Sequence, residues 1–88
     1  MSEDIINSMT SNKHKLSSLI SNVLNIHVDS INDDTSPENT ESWDSFNALV
    51  MVSELEQQFS VQFSMEEVYS VSCVKDIKEV LINHGIVF

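Results

Sequence analysis

Trp43-Asp44-Ser45-Phe46 is the stretch of this sequence with the most chemistry in it. Apolar residues follow at 46, 49, 50, 52, 55 and 59, the three-and-four spacing of a helix face, so the Asp-Ser pair reads as a helix start. Ser45 then lies in a first turn, where unpaired N–H groups and the positive end of the helix dipole favour an anion. A primary hydroxyl at that place is open to solvent. Taken by itself, a serine after an aspartate is in most proteins no more than part of a helix cap. Nothing beside it looks like a catalytic base. His14, His27 and His84 are scattered, and a chain with one glycine offers no oxyanion loop, which argues against a self-contained serine hydrolase. Neither a metal-ligand spacing nor a second cysteine is present. The lone Cys73 reads as a buried thiol.

The elements that must position Ser45 follow from the rest of the pattern. A chain of 88 residues suits one domain with one thin core and no deep enzyme cleft. One glycine and one proline are too few for the turns of a β-fold. The fold class expected is all-α: a small four-helix bundle with three main helices, a short helix III and a long loop between helices I and II. Residues 1–11 are expected to be a flexible extension, which Ile5, Ile6 and Met9 could join to the first helix; residues 12–88 form the domain. Helix I runs from Asn12, its cap, to Leu24 or Asn25, with Leu16, Leu19, Ile20, Val23 and Leu24 facing inward. A loop over 27–43 follows, rich in short polar residues, with Ile31 and Trp43 as its anchors. Helix II spans Asp44 or Ser45 to Phe59 or Ser60. Its wide apolar face is Phe46, Leu49, Val50, Val52, Leu55 and Phe59, and its wet side is Glu54, Glu56, Gln57 and Gln58. Val61 and Phe63 plug the core from an extended link. Ser64 and Glu67 make a capping box that opens helix III over 65–70, with Val68 and Tyr69 turned inward. Helix IV starts near Ser72 or Cys73, with Ser72 able to cap in place of Cys73. It buries Val74, Ile77, Val80 and Leu81 and stops at Gly85.

Charge narrows the partners. Fourteen acidic residues face four lysines and no arginine, for a formal charge of −10. Between Lys15 and Lys75 lie ten acids and no lysine or arginine, and the flanks cancel, so the whole net charge sits on the middle of the chain. Such a field repels nucleic acid and anionic lipid and steers basic proteins. The longest apolar run, Ala48 to Val52, is far too short to insert in a membrane. Glu3 and Asp4 replace the basic start of a signal peptide, so a reducing cytoplasm is the expected compartment.

The motif at 43–46, continued by Leu49, Val50, Glu54, Leu55, Glu56 and Phe59, resembles the acyl carrier protein family, in its free-standing form. The likeness runs from about residue 12 to about residue 83. It takes in Leu24-Asn25-Ile26, the Leu-Glu-x-x-Phe of 55–59, Phe63, Glu66-Glu67 and Val74-Lys75-Asp76-Ile77. Phe46 departs from the usual leucine, and Val50 stands where an acid is common.

The resemblance implies a 4′-phosphopantetheine arm, taken from coenzyme A and attached to Ser45 by a phosphopantetheinyl transferase. Asp44 would help the transferase's metal or base reach the hydroxyl, and Phe46 would flank the arm. It further implies that acyl or aminoacyl groups ride as thioesters between loading and transfer enzymes. The basic patches of those enzymes would dock on Leu49, Val50, Glu54, Glu56, Glu66 and Glu67. The chain would be a monomer that catalyses nothing itself and needs no metal. The other reading is a carrier-like acidic interaction module that is never modified, against which the retained Asp44-Ser45 speaks. Fatty acyl, polyketide, aminoacyl and sugar-acid cargoes all suit this scaffold.

Overall fold

The computed structural model describes residues 2–88, with side chains from residue 11 onward. Four α-helices form: α1 (Ser2–Leu24), α2 (Ser45–Phe59), α3 (Met65–Ser70) and α4 (Val74–Asn83), with a 3-10 turn at Val28–Ser30 in the long loop. No strand occurs among the described residues, and the expected small all-helical bundle is what these elements build. Its core takes Leu16, Leu19, Ile20 and Leu24 from α1, Met51, Leu55 and Phe59 from α2, and Val74, Ile77, Val80 and Leu81 from α4. Trp43 and Phe63 close it from the connections on either side of α2.

Several expectations need correction. The first helix begins at Ser2, so Asn12 is inside it and caps nothing. Asn12 Nδ2 instead donates to the Val87 carbonyl at 2.9 Å, which ties the C-terminal residues to α1. The packing of Ile5, Ile6 and Met9 lies outside the described side chains. The buried stripe of α2 is Met51, Leu55 and Phe59, with Ala48 and Val52 packed beside it, whereas Phe46 and Leu49 are 72% and 65% exposed. Positions 48, 51, 52, 55 and 59 share one face at 3.6 residues per turn, and 46 and 49 fall on another. Tyr69 does not turn inward either: it is exposed, and Val68 alone of the expected pair packs on the core.

The opening of α4 is also built differently. Cys73 stands at the cap position without a side-chain cap bond, and Ser72 supplies no cap either. The Ser72 amide donates to Asp76 Oδ2 at 2.9 Å, which holds the Asp76 carboxyl below the usual carboxylate range. The long loop does the rest. The Val74 amide donates to the Thr35 carbonyl at 2.9 Å and the Lys75 amide to the Asp33 carbonyl at 3.1 Å. Lys78 Nζ then bonds Asp33 Oδ1 at 2.7 Å and keeps that carboxyl low. Two orphan donors of a helix start are thereby satisfied by loop backbone, and Thr35 is buried where the loop crosses α4.

Helix ends follow the scarcity of glycine. Asn25 and Ser60 take left-handed backbone at φ 53° and 55°, after α1 and α2. From the residue after each, an amide reaches back: Ile26 to the Ser21 carbonyl and Val61 to that of Glu56, both at 3.2 Å. Gly85, at φ 93°, does the same for α4, with Gly85 N–H to the Ile82 carbonyl and Ile86 N–H to that of Leu81.

Candidate functional site

Ser45 is the first residue of α2 and is exposed. Asp44 precedes it as the cap, in extended backbone, and its Oδ1 accepts the Asn47 amide at 2.8 Å. The Asp44 carbonyl accepts the Ala48 amide at 2.9 Å and begins the helical ladder. Ahead of the cap, Trp43 is 5% exposed, and its amide donates to the Thr40 carbonyl at 3.0 Å. Asn47 reaches back as well, with Nδ2 donating to the Ser42 carbonyl at 2.7 Å. The serine thus follows a segment fixed by an indole in the core and by four hydrogen bonds.

A hollow of about 370 Å³ opens beside Ser45, between α2 and α3. Ala48, Leu49 and Val52 wall it from α2, Val68 and Tyr69 from α3, and Trp43 and Phe63 from the flanking connections. Apart from the Ser45 end its walls are almost wholly apolar. A larger hollow of about 720 Å³ lies away from the serine, between the end of α1 and the long loop. Its polar lining is mostly consumed internally: Asn39 donates to the Asp34 carbonyl and Thr35 Oγ1 to that of Ser30. The smaller hollow is therefore the one that bears on the chemistry of Ser45.

The residues expected around the serine do not all gather there. Leu49 lines the hollow beside it, and Phe46 stands out into solvent next to it. Val50 and Glu54 face the other side of α2, along a groove shared with Leu19, Asn22 and Val23 of α1. Glu54 Oε2 accepts Gln58 Nε2 at 3.3 Å. Glu56 is bent inward, and its Oε2 accepts the Phe63 amide at 2.8 Å. Glu66 is exposed. Glu67 completes the expected capping box, accepting the Ser64 amide at 2.9 Å while its own amide donates to Ser64 Oγ at 3.1 Å. Its carboxylate also meets His84 Nε2 at 2.9 and 3.1 Å. The Ser64 amide and then His84 hold the Glu67 carboxyl below the usual carboxylate range.

Three features of the site escape a reading of the sequence. Asn47 carries no recognised signal, because the capping-box pattern asks for Glu or Gln at that position. Met65 and Tyr69, one turn apart on α3, leave apolar side chains in solvent, and Tyr69 lines the Ser45 hollow. His84 is no idle surface histidine: its ring stacks on Phe63, with centroids 6.1 Å apart and planes 7° from parallel. No group of His, Cys, Asp and Glu able to hold a metal ion occurs among the described residues, and no helix there is long and apolar enough to cross a membrane.

What the arrangement can do chemically is narrow. An exposed primary alcohol sits at a helix N-terminus, without a base of its own, beside an apolar recess. It could hold a phosphodiester-linked group and shelter something apolar carried at the group's far end. A family model described as a phosphopantetheine attachment site matches residues 14–81. No curated protein matches the chain. Because that match takes in α2, α3, most of α4 and the long loop, the protein belongs to the phosphopantetheine attachment-site family, carriers that bear a covalent 4′-phosphopantetheine and do not themselves catalyse a reaction.

Proposed function

We propose that Ser45 is the residue that bears the arm, and that residues 12–88 act as a free-standing carrier of acyl or aminoacyl groups, with residues 1–11 as an extension to it. The observation that carries this reading is the coincidence of an exposed serine at the first position of α2 with the mouth of the apolar hollow. Ser45 Oγ would take the phosphopantetheinyl group from coenzyme A, with adenosine bisphosphate leaving and the proton passing to the transferase. Once attached, the arm supplies a thiol that holds cargo as a thioester. The first turn of α2 favours the phosphodiester through its free N–H groups and dipole. The recess walled by Ala48, Leu49, Val52 and Val68 favours an apolar acyl chain over a charged cargo.

Partner enzymes would meet the same end of the molecule. Phe46 and Leu49, with Met65 and Tyr69, supply exposed apolar contact area, and Asp44 and Glu66 supply exposed charge. Val50 and Glu54 would add contacts for a partner that reaches round toward α1. Glu56 and Glu67 already accept internal donors, so they contribute to the negative field and not to free hydrogen bonding. Acidic rim residues of this kind chiefly raise the association rate of a basic partner. Transferase and loading enzymes with basic patches, a cytoplasmic setting and a monomeric carrier complete the reading.

The test is intact-protein mass after incubation with coenzyme A and a broad-specificity phosphopantetheinyl transferase, beside a Ser45→Ala control. A gain of one phosphopantetheine by the wild type alone is expected. No gain with several transferases, on a folded sample, would turn the assignment toward an unmodified acidic interaction module.

A further inference from the structure

We propose that Asn47 is a positioning residue for the modification of Ser45: through its side-chain amide it fixes the path by which the chain enters α2, and so presents the serine hydroxyl. The inference rests on Ser45 as the attachment residue. Asn47 is the third residue of α2 and is bonded twice to the segment ahead of it. Its backbone N–H belongs to the Asp44 cap, at 2.8 Å, whatever side chain stands at 47. Its side chain does something separate: Nδ2 donates to the Ser42 carbonyl at 2.7 Å in a half-buried setting. Ser42 lies ahead of both Trp43 and the cap, three residues before Ser45.

This second bond is what ties Ser42 down. The Ser42 hydroxyl is buried and finds no partner, so Ser42 is held to α2 through its carbonyl. Trp43 fixes the next residue by its indole and by its amide bond to Thr40. The chain therefore enters α2 between two clamps, one in the core and one on the helix. Releasing the helix-side clamp frees the residues immediately before Ser45 to swing about Trp43. A hydroxyl displaced by a fraction of an ångström from its near-attack position reacts more slowly without binding much less well.

A carbonyl partner sets a chemical requirement: residue 47 must donate. Aspartate matches asparagine in shape but offers only acceptors, and leucine offers neither. Aspartate is also favourable near a helix N-terminus, where leucine is neutral. The two substitutions therefore separate donation to Ser42 from a general effect on the helix.

The experiment compares wild type, Asn47→Asp and Asn47→Leu as substrates of a phosphopantetheinyl transferase, following mass gain with time at several carrier concentrations. Circular dichroism and thermal melts accompany each protein, and peptide mapping locates the arm. Both variants are expected to fold and to lose roughly fivefold in kcat, the worth of one hydrogen bond, with a smaller change in the KM for the carrier. Asn47→Asp should melt close to wild type, its gain at the helix N-terminus offsetting much of the lost bond, yet still be modified slowly, a combination that a structural role alone would not produce. Should the leucine variant melt early, the aspartate variant decides. Wild-type rates in both variants, or a slow leucine variant beside a fast aspartate one, would overturn the proposal while leaving Ser45 as the attachment residue. A wild type that takes no arm at Ser45 would sink the attachment reading and this inference with it.

Discussion

Replacing Trp43 by alanine should cost this protein a large part of its stability. The indole is 5% exposed and belongs to the core that joins α1, α2 and α4. Truncating a buried aromatic to alanine typically costs about 3–5 kcal/mol. A domain of this length has about 4–13 kcal/mol in all, so the loss ranges from roughly a quarter to the whole. For a domain of this size the melting temperature should fall by at least about 12 °C. Urea titration followed by far-ultraviolet circular dichroism is the assay, because Trp43 is the one tryptophan and its fluorescence goes with it. Trp43→Phe keeps an aromatic ring in the site and should lose markedly less. Below its melting range, Trp43→Ala should also be a slower transferase substrate, since the core-side clamp ahead of Ser45 is gone. A Trp43→Ala protein within about 0.5 kcal/mol of wild type would refute the reasoning, because that is how a surface position behaves.

Other perturbations follow from the same geometry. Asp44→Ala removes the α2 cap and should cost about 1 kcal/mol in a thermal or urea melt, whereas Asp44→Asn keeps a capping oxygen and should restore most of it. Asp33, Glu67 and Asp76 have lowered pKa values, held by Lys78, by the Ser64 amide and by the Ser72 amide. The folded chain then binds fewer protons than the unfolded one in mild acid. This stability is present above the unfolded carboxylate values and is lost as pH falls through the lower folded ones. Relief of the −10 charge works in the opposite direction. The variant Asp33→Asn/Glu67→Gln/Asp76→Asn isolates the first effect: its urea midpoint should lie below wild type near neutral pH and converge with it as pH falls below the ordinary carboxylate range, while a constant gap would contradict the assignment. Raising salt should lower kcat/KM for the transferase mainly through slower association, measured as initial rates across ionic strength; rates indifferent to salt would remove the charge from the docking account.

Much of this architecture was legible from periodicity and caps. The Ser64–Glu67 box, the span of α3, the start of α2 at Ser45 and the stop at Gly85 all follow from local chemistry, which the sequence writes in adjacent residues. What escaped is non-local. Phe46 is apolar and sits on a helix, yet it faces solvent, as Leu49 does at its expected docking position, because the core meets α2 on the Met51–Leu55–Phe59 side. Nothing within α2 indicates which of its apolar flanks α1 will cover. The capping of α4 by the Asp33 and Thr35 carbonyls joins segments some forty residues apart and uses backbone, which has no residue-type signature. The Glu67–His84 contact likewise joins α3 to the far end of α4. At the site itself the serine and its cap were readable, whereas the hollow and the Asn47 clamp depend on how neighbouring segments pack.

The brevity of α3 has a consequence for timing. Six residues make too short a helix to persist unaided in water. This one has no fully buried residue and is held by its capping box, by the His84 contact at Glu67 and by Val68 against the core. Such a segment opens at far less cost than the whole domain unfolds. Because Val68 and Tyr69 form one wall of the recess beside Ser45, that wall can open apart from the rest of the domain, on the microsecond-to-second scale of local unfolding. Typical enzymes turn over about 1–10³ times per second. Where that opening falls in the faster part of its range, a chain sheltered in the recess would emerge and return within one such turnover, and the waiting time for delivery would belong to the enzyme that receives it.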